Sequence, residues 1–320
     1  MMRIDTHAHY YPAAYLDLLT RFGSHDTDIA RVPCAGDADG DVETRLRMMD
    51  EAGVDVQILS ASPQLPHFED RSHAVEAART ANDLYADLVR RHPDRFAAYA
   101  ATPLPHADAA IAELGRALDD LGFVGAAITT TVLGRSLADP ALEPFYAELD
   151  RRGAVLHIHP TGGGAASPLI TDHGLTWVIG APIEDTIAVL HLLRAGITAK
   201  YPGMKVHVAH LGGHLPFLMQ RVEDNYRVWN AFPDSPARAA GRMWFDTANF
   251  HAPALRCAVD TFGPHNFLLG SDYPYFQDDL YTRAVTYVEN AGLPPDTVRA
   301  VMADNAADLF GPDAITGRAR

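Results

Sequence analysis

This 320-residue chain has little positive charge and almost no lysine. Its only lysines, Lys200 and Lys205, accompany 24 arginines against 41 acidic residues, for a formal net charge of −15. A protein that binds a polyanion such as DNA normally presents a basic surface or stripe. No basic run is present, so the composition argues against a nucleic-acid partner.

Cysteine and long apolar runs are also scarce. Cys34 and Cys257 are the only cysteines and form no C-x-x-C pair, which is typical of a reducing compartment. Asp5 stands where the apolar core of a signal peptide would begin, and no uninterrupted apolar run approaches the length of a membrane span. These absences predict a cytoplasmic protein with no membrane partner.

Eight short apolar, β-branched segments recur along the chain, separated by amphipathic stretches. Such runs are typical of strands that are covered on both faces. The segments are RIDTH from Arg3, VDVQILS from Val54, FAAYAAT from Phe96, VGAAITT from Val124, AVLHIH from Ala154, KVHVAH from Lys205, RMWFDTA from Arg242 and NFLLGSD from Asn266.

The stretches between these segments predict helices. DVETRLRMMDEAG places Val42, Leu46 and Met49 on one stripe and ends at Gly53, a plausible helix stop. Strand starts recur about every 38 residues, which suits a βα unit. No glycine-rich phosphate turn follows the first strand, as an open dinucleotide-binding sheet would favour. We therefore predict one (β/α)8 barrel domain over 1–320, with loop insertions at 10–41 and 160–182.

Polar side chains lie where the predicted strands end. His7 and His9 end the first strand on one face, His159 the fifth, His210 the sixth and Asp272 the eighth. A barrel gathers these ends into one ring. Three histidines and a carboxylate around an ion, with one position open, outline a catalytic metal site. His210 would then lie across the mouth as a base, while His157 and Asp5 lie one layer deeper.

Four motifs in order, DTHAHYYP, HIHP, AHLGG and GSDYP, resemble the amidohydrolase superfamily. Within it, they resemble the branch of aminocarboxymuconate-semialdehyde and γ-resorcylate decarboxylases. The resemblance runs from the first strand to about Leu309. It implies that His7, His9, His159 and Asp272 bind the metal and that His210 contacts a water or the substrate.

The resemblance also implies substrate-binding residues. Arg221 matches an arginine that crosses a dimer interface to a substrate carboxylate, which implies a homodimer. Trp177 and Tyr275 match aromatic residues of the substrate pocket, and Arg31 matches an arginine of the first long loop. Two-metal relatives carry a lysine at the end of strand 4, where this chain has AAITTT, so we predict one divalent ion. Zinc suits the ligands best, and manganese is the alternative.

The function predicted is a non-oxidative, metal-dependent decarboxylase of a small aromatic or dienoic carboxylic acid, with His210 and Asp272 moving protons. The alternative is a hydrolase or hydratase on the same barrel, because an activated water would serve both reactions. A third reading, a catalytically silent binding protein, is disfavoured by the complete ligand set.

Overall fold

The computed structural model describes residues 2–311 and residue 315, and its centre is a ring of eight parallel strands. The strands are β1 Ile4–His9, β2 Val56–Ser60, β3 Phe96–Ala100, β4 Gly125–Thr129, β5 Val155–His159, β6 Lys205–Val208, β7 Trp244–Asp246 and β8 Phe267–Leu268. They pair in sequence order. The ring closes where the Thr6 N–H donates to the Leu269 carbonyl at 2.8 Å and the His9 N–H to the Tyr273 carbonyl at 2.7 Å. The predicted (β/α)8 barrel is confirmed.

Helices cover the outside of the ring, so the strands are buried on both faces. The helices are α1 Ala13–Arg21, α2 Asp41–Ala52, α3 Arg71–Arg91, α4 Ala107–Asp119, α5 Glu143–Arg152, α6 Pro168–Thr171, α7 Ala181–Arg194, α8 Ile197–Lys200, α9 Leu215–Trp229, α10 Pro236–Ala240, α11 Ala252–Phe262, α12 Asp279–Glu289, α13 Pro295–Arg299 and α14 Asn305–Phe310. A two-residue hairpin, Thr131–Val132 with Arg135–Ser136, follows β4.

The predicted stripe on α2 differs in one position. Val42 and Met49 are buried and Gly53 ends the helix in the left-handed conformation, as expected. Leu46 is only half-buried, however, and the fully buried side chain beside it is Arg45. Its guanidinium donates to the His9 carbonyl at 2.7 Å and lies 4.4 Å from the centre of the Tyr273 ring. These contacts make burial of a charged side chain tolerable.

Two of the polar residues lie beyond the strands that were predicted to carry them. β6 ends at Val208, and His210 begins the short turn His210–Gly212 with φ 53°. β8 ends at Leu268, and Asp272 follows four residues later with φ 55°. Both side chains still reach the mouth, because the left-handed backbone bends each connection back over the ring.

The two long connections lie over this carboxyl end of the barrel. Segment 10–41 contains α1 and the turn Thr27–Ala30, and segment 160–182 contains α6 and the irregular turn Thr176–Gly180. Each contributes a residue, Ile29 and Trp177 respectively, to the cavity at the mouth. The segments therefore form the upper wall of the site.

One helical stretch, Thr176–Arg194, is long and apolar enough by length and composition to span a membrane. Half of it is buried inside the fold, and it carries the buried carboxylates Glu184 and Asp185. These features are those of a core helix of a globular barrel.

Candidate metal centre

Strand β1 places two imidazoles on one face at the mouth of the barrel. His7 and His9 are both fully buried, and their ring centres lie 5.1 Å apart. The Nδ1 of His7 lies 2.9 Å from Asp246 Oδ2, and the Nδ1 of His9 lies 3.1 Å from Ser60 Oγ. With Nδ1 engaged, the Nε2 of each ring faces the centre.

His159, at the end of β5, and Asp272, in the connection after β8, complete this wall. The Nδ1–H of His159 donates to the Pro160 carbonyl at 2.9 Å, and its ring centre lies 4.8 Å from that of His9. Asp272 Oδ1 lies 3.1 Å from His9 Nε2 and 3.5 Å from His7 Nε2. The Asp272 carboxylate thus lies within 3.5 Å of the Nε2 atoms of both His7 and His9.

His210 lies on the opposite side of Asp272. Its Nε2 is 3.7 Å from Asp272 Oδ2, and its Nδ1 is 2.9 Å from Asp185 Oδ2. His7, His159, His210 and Asp272 each offer one ligand atom, all within 4.8 Å of one another. His9 adjoins this group through Asp272. The geometry therefore offers five donors, one more than a four-ligand site needs.

Three observations show that the donor set fits a divalent cation. His7 Nε2 is buried with no hydrogen-bond partner, although buried polar atoms normally have one. Burial lowers the pKa of His9 to about 4 and that of His159 well below its usual range, which favours the neutral form that binds a metal. At His7 burial also lowers the pKa, but Asp246 and Asp272 outweigh it and raise the pKa. Burial opposes ionisation of Asp272, but its bonds to His210 and His9 prevail and keep its pKa low.

The charge on His210 is governed by its two carboxylate neighbours. Burial lowers its pKa, but hydrogen bonds to Asp185 and Asp272 outweigh burial and raise it well above the usual range. A histidine that holds a proton next to a cavity is suited to general acid–base chemistry.

The layer beneath the centre is made of residues that the sequence analysis placed deeper or did not consider. His157 Nδ1 lies 3.1 Å from His207 Nδ1, and His207 Nε2 lies 3.3 Å from Asp246 Oδ2. Asp5 accepts from Ser271 Oγ at 2.6 Å and thereby fixes the segment that carries Asp272. Burial raises the pKa of Asp5 to about 6.

Sequence reasoning missed Asp246 and Asp185. Asp246 could have been found from the sequence, because it directly follows the apolar residues of the segment RMWFDTA, as the other site residues follow the apolar residues of their own segments. Asp185 could not, because a carboxylate within the helical stretch PIEDTIAVL is ordinarily solvent-exposed.

A cavity of about 210 Å³ opens directly above the centre. Among the described residues, no lysine or arginine lines it. The lining is mostly apolar and aromatic around three of the polar site residues: Ile29, His159, Trp177, Ala181, His210, Asp272, Tyr275 and Phe276. The volume and the largely apolar lining suit a small molecule with an apolar body.

The four predicted substrate-binding residues divide into two pairs. Trp177 and Tyr275 line this cavity. Arg31 does not reach it and forms an ion pair with Asp17 at 2.8 Å. Arg221 is exposed on α9, and within the described part of the chain its guanidinium has no ion-pair partner. The structure therefore brings neither arginine to the cavity of its own chain.

Comparison with known proteins identifies a related decarboxylase and a related hydratase. A 6-methylsalicylic acid decarboxylase of Penicillium expansum is 31% identical over 97% of this chain and 96% of its own. A 2-keto-4-carboxy-3-hexenedioate hydratase of Sphingobium sp. is 30% identical over 71% of this chain and 68% of its own.

The fold is also similar to that of a solved decarboxylase structure. A dihydroxybenzoic acid decarboxylase of Polaromonas sp., with bound manganese and the inhibitor 2-nitroresorcinol, matches with a TM-score of 0.82. It is 25% identical, and the match covers 97% of this chain and 96% of that one. The profile of the amidohydrolase family matches residues 4–311. The chain belongs to the amidohydrolase family.

Proposed function

We propose that this protein is a metal-dependent, non-oxidative decarboxylase of a small aromatic carboxylic acid. The observation that carries the proposal is a histidine–aspartate centre that opens into a cavity walled by Trp177, Tyr275 and Phe276. Relatives that decarboxylate aromatic acids support the reaction. The proposal treats the chain as one domain acting in the cytoplasm, with segments 10–41 and 160–182 governing specificity.

In this proposal His7, His9, His159 and Asp272 hold one divalent ion, and His210 remains free for proton transfer. Zinc suits a site of three histidines and one carboxylate, and manganese is compatible with nitrogen and oxygen donors. A single ion is favoured because Thr129 and Thr130 stand at the end of β4, where no lysine is available to bridge two. When bound, the ion would polarise a substrate oxygen next to the carboxylate.

The residues of the chain would then carry the remaining steps. Trp177 and Tyr275 hold the ring and exclude water, which strengthens electrostatic interactions at the carboxylate. The bond from the ring carbon to the carboxylate breaks, its electron pair stays on that carbon, and CO2 leaves. His210 supplies a proton through Asp272, 3.7 Å away, and Asp272 delivers it to the same carbon.

The substrate carboxylate needs an arginine or lysine for a charge-assisted hydrogen bond, and among the described residues none lines the cavity. We propose that Arg221 of a second copy of the chain makes this bond, so that the active form is a homodimer. Phe217 and Val228, on the same stripe of α9 as Arg221, are 82% and 76% exposed, as residues of an uncovered interface would be. Arg31 would have to leave Asp17 to take part.

A hydratase or hydrolase is the second candidate, supported by the related hydratase. The same donor set would activate water for attack on a lactone, an amide or a C=C bond, and the two candidates differ in whether CO2 is formed.

The deciding experiment is metal analysis of the purified protein followed by a screen of hydroxybenzoates and muconate semialdehydes for CO2 release. We expect one ion per chain and one CO2 for each acid consumed. Two ions per chain would contradict the single-ion site. Consumption of an acid without CO2 would favour the hydratase.

A further inference from the structure

Two buried aspartates of the site have no cationic side chain other than histidine beside them. Asp185 and Asp246 are fully buried, and within residues 2–311 and 315 neither forms an ion pair with lysine or arginine. Burying an isolated carboxylate is costly unless its oxygens are hydrogen-bonded. Each aspartate instead faces the Nδ1 atom of one histidine of the metal centre.

Asp246 has both oxygens engaged, each in a different task. Oδ2 lies 2.9 Å from His7 Nδ1 and 3.3 Å from His207 Nε2. Oδ1 accepts the backbone N–H of His210 at 3.1 Å and that of Ala248 at 3.0 Å. One carboxylate thus keeps the proton of His7 on Nδ1, which leaves the lone pair of Nε2 for an ion.

Asp185 makes a simpler contact from the first turns of α7. Its Oδ2 lies 2.9 Å from His210 Nδ1, whereas its Oδ1 is buried without a partner. The contact turns His210 so that Nε2 faces Asp272 and the cavity. A ring free to rotate about its side-chain bonds would lose this orientation.

We infer that Asp246 and Asp185 are positioning residues with separate tasks: Asp246 fixes the tautomer of the ligand His7, and Asp185 fixes the orientation of His210. The second half of this inference rests on the proposed role of His210 in proton transfer. The first half concerns metal binding alone.

The two aspartates should respond differently to amide substitution. In Asp246→Asn, the two backbone N–H groups retain the amide oxygen, so the NH2 group faces His7. His7 must then accept at Nδ1 and carry its proton on Nε2, where it cannot bind a metal. In Asp185→Asn the amide oxygen can keep its place against His210, because the other position has no partner to satisfy. Only Asp185→Ala removes that contact.

The test compares these variants with Asp260→Asn, an exposed control on α11. Zinc affinity is measured by competition with a chromophoric chelator, and kcat and KM by CO2 release. For Asp246→Asn we expect zinc affinity to fall about 10- to 100-fold. For Asp185→Ala we expect kcat to fall at least about tenfold with zinc affinity unchanged. For Asp185→Asn, which keeps the contact with His210 but not the charge, we expect part of that loss in kcat to be recovered. Unchanged zinc affinity in Asp246→Asn, or no recovery in Asp185→Asn, would overturn the respective half.

A measurement that needs no turnover keeps the test decisive. In ¹⁵N-histidine-labelled protein, Asp185→Ala should shift the Nδ1–H resonance of His210, and Asp246→Asn that of His7, with assignment by His210→Gln and His7→Gln. If the wild type releases no CO2, the proposed function fails, while these resonances and the zinc affinities still decide the inference. Resonances that do not move in a folded variant would refute it.

Discussion

At the residue scale, either of two histidines beside Asp272 could be the remaining metal ligand. His9 and His210 both lie beside Asp272, with Nε2 at 3.1 Å and 3.7 Å from its two oxygens. The partners of Nδ1 separate them, since His9 bonds a serine and His210 a carboxylate. The carboxylate favours a proton on His210, so we assign metal binding to His9 and proton transfer to His210.

This assignment predicts that His210→Ala keeps its metal but loses about 10²- to 10⁴-fold in kcat, the usual range for a general acid–base residue. Metal content by mass spectrometry and CO2 release by the same sample measure the two effects. His265→Ala, exposed on the surface, serves as the control. A metal-free His210→Ala protein would make His210 a ligand.

The predictability of the site depended on where each residue lies in its element. His7, His9 and His159 could be placed from sequence because side chains alternate along a strand and strand ends meet in a barrel. Asp185 could not, because the rotation of a helix about its axis depends on packing that a single sequence does not specify. The bend that brings His210 and Asp272 back to the mouth could not be predicted from the sequence either, because a left-handed φ is unusual for residues other than glycine.

His67 gives a residue-scale prediction about pH. Its Nε2 is buried without a partner, and burial lowers its pKa to about 4. The unfolded chain binds this proton near pH 6.5 and the folded chain only near pH 4, so acidification through this window favours unfolding. Between these two pKa values, each pH unit lowers the free energy of unfolding by about 1.4 kcal/mol. His67→Gln should therefore remove up to about 2 kcal/mol of the stability that the wild type loses between pH 7 and pH 5.

Urea unfolding at the two pH values measures this difference, with His25→Gln, an exposed histidine, as the control. Equal pH dependence in the His67→Gln variant and the wild type would show that His67 protonates as easily in the folded protein.

At the element scale, helix α2 supports the strand that carries two of the proposed ligands. Arg45 Nη2 donates to the His9 carbonyl and Nη1 lies 3.3 Å from Gln57 Oε1, while Gln57 Nε2 donates to Asp5 at 3.0 Å. A single side chain of the helix therefore fixes the end of β1 and, through Gln57, the residue that anchors the Asp272 segment. A hydrophobic stripe alone would hold α2 against the barrel without fixing this register.

We predict that Arg45→Met lowers the free energy of unfolding by about 1–3 kcal/mol, because the buried His9 carbonyl loses its donor. Arg47→Met, which changes an exposed arginine of the same helix, should change it little. Chemical denaturation measures both. Equal stability of the two variants would show that water replaces the guanidinium.

The elements themselves were easier to predict than their ends. All eight strands were found because parallel strands covered on both faces are apolar almost throughout. β7 and β8 have only three and two residues in the structure, shorter than their apolar segments. After β8 the chain leaves the sheet at Leu269, and Asp272 then adopts a left-handed φ of 55° that strand propensity does not predict.

At the scale of the whole molecule, the cavity has an aromatic wall, and among the described residues no arginine or lysine lines it to bind the substrate carboxylate. The proposal that Arg221 comes from a second subunit predicts complementation. Mixing Arg221→Ala with His210→Ala subunits should restore about a quarter of the wild-type activity, since half of the dimers are hybrids with one intact site.

The control is a mixture of His210→Ala with Asp272→Ala, in which every site is defective and no activity should return. Subunit exchange is verified with differently tagged chains. A fully active monomer, or exchanged hybrids without activity, would contradict the shared site.

The left-handed backbone at His210 and Asp272 has a consequence for how this protein can evolve. A residue with a side chain at positive φ stores about 1 kcal/mol or more of strain, which glycine would relieve. Selection for thermal stability alone would therefore favour glycine at the two positions on which the chemistry depends. Directed evolution that selects only for thermostability would therefore favour a stable and inactive barrel. Each round must also select for catalytic activity.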